Sequence, residues 1–462
     1  MLGYLFWVVI AACNTPKASS VSEAFEQQGF VTQVGKATDF QIADCAFLDR
    51  CFGNNASAPY LLFNLPGHSD DPSFLPENTV GEIPRVPAEM RSQYYLADNE
   101  ALVITGKTPP QARYFGFTPY LFSRLDSAGE RISVFASLTD TLNPVNALAG
   151  VDGPFDSEIA VIYTSDAESM ANARSALQSQ GYSSANINEV VLPREGMNYG
   201  FDSASSDTFL LMGRVALFDE PEKGELYLED LPLQVYRLTP EADGAGSALS
   251  VVSRVSRGDG STEDALQPGL EQLGEAIIAA AQEVGEVQEI NIASSELIAQ
   301  IIDPEVCIEN VTECKGDNTD TTYAAGPLSV IQADGTNTLA ADEYFVVYGV
   351  NHTAAGKSTY SNFSVYTKTK RIGVVAVDSD DMAGSAESYL PDRADQDNYF
   401  AYEVRRDCTD RSHCLQLNTE FPGAALDESL FFIFRAYMNP GLSVSPDHDE
   451  ILTERVIHVK PR

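Results

Sequence analysis

Glu158-Ile159-Ala160-Val161-Ile162-Tyr163-Thr164, then Ala167 to Gln180, then Ile187-Asn188-Glu189-Val190-Val191-Leu192-Pro193 form the stretch that decides the fold. The two outer runs are continuous, apolar and β-branched, as strands are. Between them Met170, Ala173, Ala176 and Leu177 recur at three- and four-residue spacing, which predicts a helix, and Gly181 marks its end. The stretch reads β-α-β.

Upstream, Tyr60–Leu65, Ala101–Thr105, Arg113–Phe122 and Ile132–Leu138 are short β-branched or aromatic runs separated by Gly, Pro, Asn and Asp. Repeated short strands of this kind predict a sandwich or jelly roll. Downstream, Thr208–Met212 and Val235–Leu238 add strand texture, and residues 240–263 are rich in Gly, Ser and Asp. A helix is predicted from Ala265 to Val284, because Leu266, Leu270, Leu273, Ile277 and Ala281 make one apolar stripe. A second runs from Ser295 to Ile302 and stops before Asp303-Pro304. Strand texture returns at Tyr344–Val350, Ser361–Tyr366, Ile372–Val377, Tyr399–Val404 and Leu430–Tyr437.

The expected fold class is therefore α+β: two β-rich sandwich-like modules with an α/β insert and one long amphipathic helix. The expected divisions are a signal peptide with lipobox over 1–13, a tether over 14–40 and an N-terminal β-rich module over 41–150. An α/β insert over 151–240, a linker over 241–263, a helical segment over 264–303 and a C-terminal β-rich module over 304–462 follow. No exact repeat is visible, although each half places a small cysteine loop beside a strand.

The seven cysteines divide unevenly. Cys13 ends an apolar run, Ile10-Ala11-Ala12-Cys13, that resembles a bacterial lipoprotein signal and would become an acylated first residue. The other six form three short-range couples, Cys45/Cys51, Cys307/Cys314 and Cys408/Cys414, spaced too widely for a C-x-x-C redox or zinc motif. Disulfides at these spacings pin local turns and persist in oxidising compartments. Both signals point to export, into the cell envelope through a lipid anchor or to the outside. The first twelve residues carry no Lys or Arg, unlike a usual n-region. In a eukaryotic secreted protein the same run is an ordinary signal peptide, with Asn55, Asn310, Asn351 and Asn362 as glycosylation acceptors. No other segment has the apolar length of a transmembrane helix.

Composition narrows the partners. The 67 acidic residues against 29 basic give a formal net charge of −38, so phosphate backbones are repelled and nucleic acid is excluded as a partner. A surface this acidic and poor in Lys suits a marine or salty medium, where screening lengths are short.

The N-terminal portion is similar to a bacterial family of uncharacterised β-rich exported domains. The matching residues are Asn55-Ala56-Ser57-Ala58-Pro59-Tyr60, Tyr94-Tyr95, Glu100-Ala101-Leu102-Val103-Ile104 and Ala112-Arg113-Tyr114-Phe115-Gly116-Phe117. The resemblance covers about a quarter of the chain and implies a β-sandwich but no activity.

Signatures of chemistry are sparse. There is no G-x-S-x-G, P-loop, G-x-G-x-x-G or H-E-x-x-H. Gly67-His68-Ser69-Asp70-Asp71 reads as a polar loop, since triad members come from separate segments. His352, in the small-residue loop Asn351 to Ser358 after a strand, is a candidate catalytic residue, with Arg113 and Tyr120 in the aromatic strand. Alternation puts Tyr114, Tyr120 and Arg124 on one face of that strand and Arg113, Phe115 and Phe117 on the other. No cofactor is evident. Calcium is the metal to consider, with Asp378, Asp380 and Asp381 or Asp317 and Asp320 as ligands, although neither run has EF-hand spacing. The expectation is an exported, lipid-anchored surface or periplasmic binding or structural protein, reaching the membrane through its anchor and taking a glycan or small molecule. The alternative is an extracellular hydrolase or lyase acting on glycans or esters, with its site where the modules meet.

Overall fold

The computed structural model describes residues 18–48, 51, 58–68, 83, 85–151, 153–242, 246–327 and 337–462. Cys13, Asn55 and residues 69–71 lie outside these.

The first half comprises α1 (Ala18–Gln27), β1 (Phe30–Val34), β2 (Lys36–Phe40), β3 (Tyr60–Pro66), β4 (Met90–Arg91), β5 (Gln93–Tyr94), β6 (Ala101–Lys107), β7 (Ala112–Leu125) and β8 (Arg131–Ser137). It continues through β9 (Glu158–Thr164), α2 (Ala167–Ser179), β10 (Ile187–Val191), β11 (Thr208–Phe218), α3 (Pro221–Glu229) and β12 (Leu233–Pro240). The second half comprises α4 (Gln267–Val284), β13 (Gly285–Ile290), α5 (Ser295–Ile301), α6 (Pro304–Asn310), β14 (Thr321–Gly326), β15 (Tyr344–Val350) and β16 (Ser361–Thr367). Then follow β17 (Gly373–Asp378), α7 (Ser379–Met382), β18 (Tyr399–Arg405), β19 (Cys414–Gln416), β20 (Leu430–Tyr437) and β21 (Arg455–Pro461). The α+β class, with β-rich sandwich-like sheets, is what the sequence led us to expect.

Each half is three layers deep. In the first, the sheet β1-β12-β6-β9-β10 faces the sheet β2-β3-β11-β7-β8. Leu102, Ile104, Ile159, Val161 and Tyr163 point into the core between them, with Phe115, Phe117, Leu211 and Val215 opposite. The intervening Ala101, Val103, Ala160 and Ile162 point the other way, onto Phe25 of α1 and Met170, Ala173 and Leu177 of α2. Burial on both faces is why these strands read as unbroken apolar runs. In the second half Phe345, Val347, Phe400 and Val404 fill the sandwich. Tyr344, Val346, Tyr348 and Val350 alternate with them to meet Leu270, Leu273 and Ile277 of α4.

Three of the expected divisions differ from the observed packing and strand pairing. The tether over 14–40 is instead part of the fold from residue 18, because Val21, Ala24 and Phe25 bury one face of α1 and β1 pairs with β12. The α/β stretch over 151–240 is no insert: β9 and β12 lie inside one sheet of the first half and β11 inside the other. Likewise α4 and β13, within the expected helical segment 264–303, are the outer layer and edge strand of the second half.

The two halves are copies of one plan. Strands β1, β12, β6, β9 and β10 are joined antiparallel, antiparallel, antiparallel and parallel. Strands β13, β21, β15, β18 and β19 follow the same order and senses. In the second sheet β3-β11-β7-β8 corresponds to β14-β20-β16-β17, antiparallel throughout. One disulfide loop precedes β3 (Cys45–Cys51) and another precedes β14 (Cys307–Cys314). With these equivalences fixed, a faint sequence repeat is readable. Glu100-Ala101-Leu102-Val103-Ile104-Thr105-Gly106 matches Glu343-Tyr344-Phe345-Val346-Val347-Tyr348-Gly349, and Tyr114-Phe115-Gly116-Phe117-Thr118-Pro119-Tyr120 matches Tyr360-Ser361-Asn362-Phe363-Ser364-Val365-Tyr366. Even a polar pair recurs in place: Glu100 meets Arg237 at 3.2 Å, and Glu343 meets His458 at 3.0 Å, although burial lowers the pKa of His458 and the second contact is a hydrogen bond.

The halves meet through their second sheets. Cys314 donates its backbone N–H to the carbonyl of Val134, and Cys51 donates its own to that of Lys370, so the contact is reciprocal, as between the subunits of a twofold dimer. Tyr114, Ala216, Tyr360 and Tyr437 pack together at the junction. The linker closes it: Arg254 donates to the carbonyl of Ser137 at 2.6 Å, and Arg257 to those of Asn318 at 2.7 Å and Thr321 at 2.8 Å. No helix among the described residues is long and apolar enough to cross a membrane.

Candidate functional site

Between the facing sheets lies a cavity of about 310 Å³. Its walls come from both halves. Tyr60, Met212 and Arg214 face it from the first, and Tyr323, Phe431, Ile433 and Arg435 from the second. Ile298, Ile301 and Ile302, at the end of α5, add an aliphatic side. α5 is placed there by its cap, the Ser294 hydroxyl accepting from the Leu297 N–H, and the segment Cys314-Lys315-Gly316-Asp317 is placed by its disulfide.

Arg214 and Arg435 occupy equivalent positions. Arg214 is in register with Tyr60 on β3, and Tyr120 stands opposite Leu210, four residues before it. Arg435 is in register with Tyr323 on β14, and Tyr366 stands opposite Phe431, four residues before it. Each guanidinium therefore lies over two tyrosine rings: 5.5 and 5.8 Å from Tyr60 and Tyr120, 5.7 Å from both Tyr323 and Tyr366.

Both arginines are 4% exposed, and neither has a carboxylate within salt-bridge distance among the described residues. Arg214 donates one hydrogen bond to the carbonyl of Gly316, at 3.1 Å. Arg435 donates to the hydroxyl of Tyr366 at 2.9 Å, and its Nη1 is buried with no hydrogen-bond partner among the described residues. Burial opposes the charge of both groups, and the surrounding phenols act the other way, holding their pKa values above the ordinary arginine range. The tyrosines are pushed up in turn: Tyr366 to about 12 and Tyr120 and Tyr114 further, chiefly by burial. At neutral pH two fixed cations stand among neutral phenols, with Asp317 on the cavity wall and Asp320 within electrostatic reach of Arg214 but outside salt-bridge distance.

The mouth is basic too. Lys315, Lys368 and Arg371 line it, against Glu313 and Asp317. Glu313 is held by Arg371 at 2.8 Å, and Asp317 accepts from the backbone N–H of Ser137 at 2.9 Å and its hydroxyl at 2.5 Å. In a chain of net charge −38 this concentration of cations is out of character. A more open groove of about 910 Å³ lies along α4, but exposed Glu271, Glu275 and Glu289 line it, in keeping with the acidic surface.

No family model matches the chain. No curated protein matches it either. Its structure is similar to that of an uncharacterised protein from Burkholderia cenocepacia, at 12% identity and a TM-score of 0.42 over 96% of this chain and 86% of that one. It is also similar to that of a Vibrio parahaemolyticus protein, at 12% identity and a TM-score of 0.37 over 80% of this chain and 88% of that one.

The residues singled out from sequence are scattered. His352 is buried in the second half, its Nδ1 2.8 Å from Glu263 and its Nε2 3.0 Å from Glu454, so its small-residue loop is clamped to the end of the linker and to the segment leading into β21. Arg113 forms an exposed pair with Asp380 at 3.0 Å. Tyr120 lies beside Arg214, and as far as Leu121 the faces of β7 alternate as expected, with Phe115 and Phe117 in the sandwich core. A one-residue bulge at Phe122 carries Arg124 off the face of Tyr120, contrary to simple alternation, and it is bound to Asp207 at 2.6 Å. Asp378 caps α7 through the N–H groups of Asp380 and Asp381. Asp320 accepts from the hydroxyl of Tyr114 at 2.9 Å and the amide of Asn143 at 3.1 Å. Among the described residues no three His, Cys, Asp or Glu side chains gather as metal ligands would. Of the glycosylation triplets, Asn351 and Asn362 are buried, which bars them as acceptors in the folded protein.

Arg214 and Arg435 escaped the sequence reading. Each is the lone cation in an otherwise apolar strand, and that pattern, occurring twice, was the available signal.

Proposed function

We propose that this chain is an exported binding protein that holds an organic anion between its two halves. The observation that carries the reading is the pair of buried guanidinium groups, Arg214 and Arg435, on one cavity with no salt-bridging carboxylate among the described residues. An unpaired buried charge costs several kcal/mol, and an anionic ligand offsets that cost with charge-assisted hydrogen bonds. The three disulfides, each closing a short loop, fit an oxidising compartment. Cys13 is the proposed lipid attachment, which would hold the protein at the cell envelope; intact mass of the mature protein tests it, and an N-terminus other than acylated Cys13 would remove the anchor. The hydrolase or lyase reading gains no specific observation.

The test of binding is the thermal midpoint in chloride of constant ionic strength, with and without organic anions of increasing size. Binding to the folded state alone raises the midpoint as the anion concentration passes its Kd. If no anion, large or small, raises it, the cavity is not an anion site.

A further inference from the structure

Resting on that anion-binding reading, we infer that the ligand is an amphipathic dianion: a short apolar body carrying two negative charges close together, as in an alkyl phosphate monoester. Two features of the cavity specify this, and they are independent.

The first is charge. Arg214 and Arg435 are permanently ionised, buried and free of salt-bridging carboxylates among the described residues, and they face one space. A monoanion would leave one of two buried cations uncompensated, whereas a dianion balances both. Arg435 offers Nη1, buried with no partner among the described residues, and a guanidinium fork presents parallel donors to phosphate or carboxylate oxygens. The duplication explains how two such groups came to share a space. Each is its half's cation at the same strand position, and the reciprocal packing brings both positions to the junction.

The second is the apolar part of the lining, which flanks the arginines on their own strands and continues along α5. Ile298, Ile301, Ile302, Ile433, Met212 and Phe431 present an apolar surface with nothing to offer a sugar or a small hydrated ion. Burying methylene groups there contributes about 0.8 kcal/mol each. The size is matched as well. A cavity of about 310 Å³ has room for about ten water-sized groups, at the ~30 Å³ that each takes in the liquid. That accommodates a phosphate head and a chain of several carbons.

The experiment is calorimetric titration of the full exported chain at pH 8 with octyl phosphate, octanoate, octyl glucoside and inorganic phosphate, all below micellar concentrations. At that pH a phosphate monoester carries close to two charges. Octyl phosphate is expected to bind at least tenfold more tightly than octanoate or inorganic phosphate, and octyl glucoside not at all. Equal binding of inorganic and octyl phosphate would overturn the apolar body while leaving anion binding intact. Equal binding of octanoate and octyl phosphate would overturn the second charge. Binding of octyl glucoside alone, or of none of the four, would overturn both the inference and the anion reading. R435M supplies the charge count: with one cation removed, the preference for octyl phosphate over octanoate should collapse to less than threefold. A preference undiminished in R435M would sink the proposal, and R435K, which keeps charge but loses the fork, should fall between. Near-ultraviolet circular dichroism of each variant confirms that it is folded.

Discussion

One histidine in the second half bridges two carboxylates out of reach of water. Both ring nitrogens of His352 are engaged, one by Glu263 and one by Glu454, so the imidazolium is the form that satisfies both acids. Burial opposes its charge, but the two carboxylates outweigh burial and raise the pKa from 6.5 to about 10. A raised folded-state pKa means that the clamp contributes fully below the unfolded value near 6.5 and is lost as pH rises through about 10. Urea unfolding of the wild type minus that of H352F, measured at pH 6, 8 and 10, should therefore show a difference that shrinks with pH. At pH 6 the variant leaves two buried carboxylates uncompensated and should lose about 3–5 kcal/mol. A difference that grows with alkalinity would contradict the protonated clamp. The sequence marked His352 as a loop residue worth attention. It could not show the role, because Glu263 and Glu454 lie 89 and 102 residues away along the chain.

Elements were the most legible scale, since periodicity is local. The helix expected over Ala265–Val284 is α4 almost to the residue, and the β-α-β stretch is β9, α2 and β10 with Asp166 as cap. What failed was membership. The α1 stripe is Val21, Ala24 and Phe25 in ten residues, too short to stand out against polar neighbours, and nothing local reveals that β12 returns to pair with β1. Two experiments belong at this scale. Leu273, fully buried between α4 and the sheet, should cost about 2–5 kcal/mol as L273A in denaturant unfolding, as a core cavity does. The disulfides should separate by role. Removing either Cys307–Cys314 or Cys408–Cys414 by paired serines should cost about 2–3 kcal/mol of loop-closure entropy. The 307–314 bridge alone positions Lys315, Gly316 and Asp317 on the cavity, so C307S/C314S should also weaken anion binding, whereas C408S/C414S should leave the Kd unchanged. Equal effects of the two on binding would show that the loop does not shape the site.

At the scale of the molecule the duplication matters most, and it was the least legible. Equivalent strands share alternation and a few anchoring residues, while β2, β4, β5, α2 and α3 have no counterpart among the described residues of the second half and break any regular spacing. What two copies create, one copy could not: a junction where like charges meet. Without a ligand the cations of the two halves repel across a space of low dielectric, so the unliganded protein carries a destabilising term at its own interface. Replacing either arginine by an apolar side chain of similar length relieves that term. R214M and R435M should each raise the unfolding free energy of the ligand-free protein by about 1–4 kcal/mol, the range seen when buried ionic groups give way to well-packed apolar ones. The same variants should lose the stabilisation that octyl phosphate confers on the wild type, so that with ligand the order of stability reverses. That reversal is the signature of groups kept for binding at the expense of the fold. If both variants are instead destabilised without ligand, the tyrosines around each guanidinium suffice to hold it. The charges would then be structural, and the junction would need no anion.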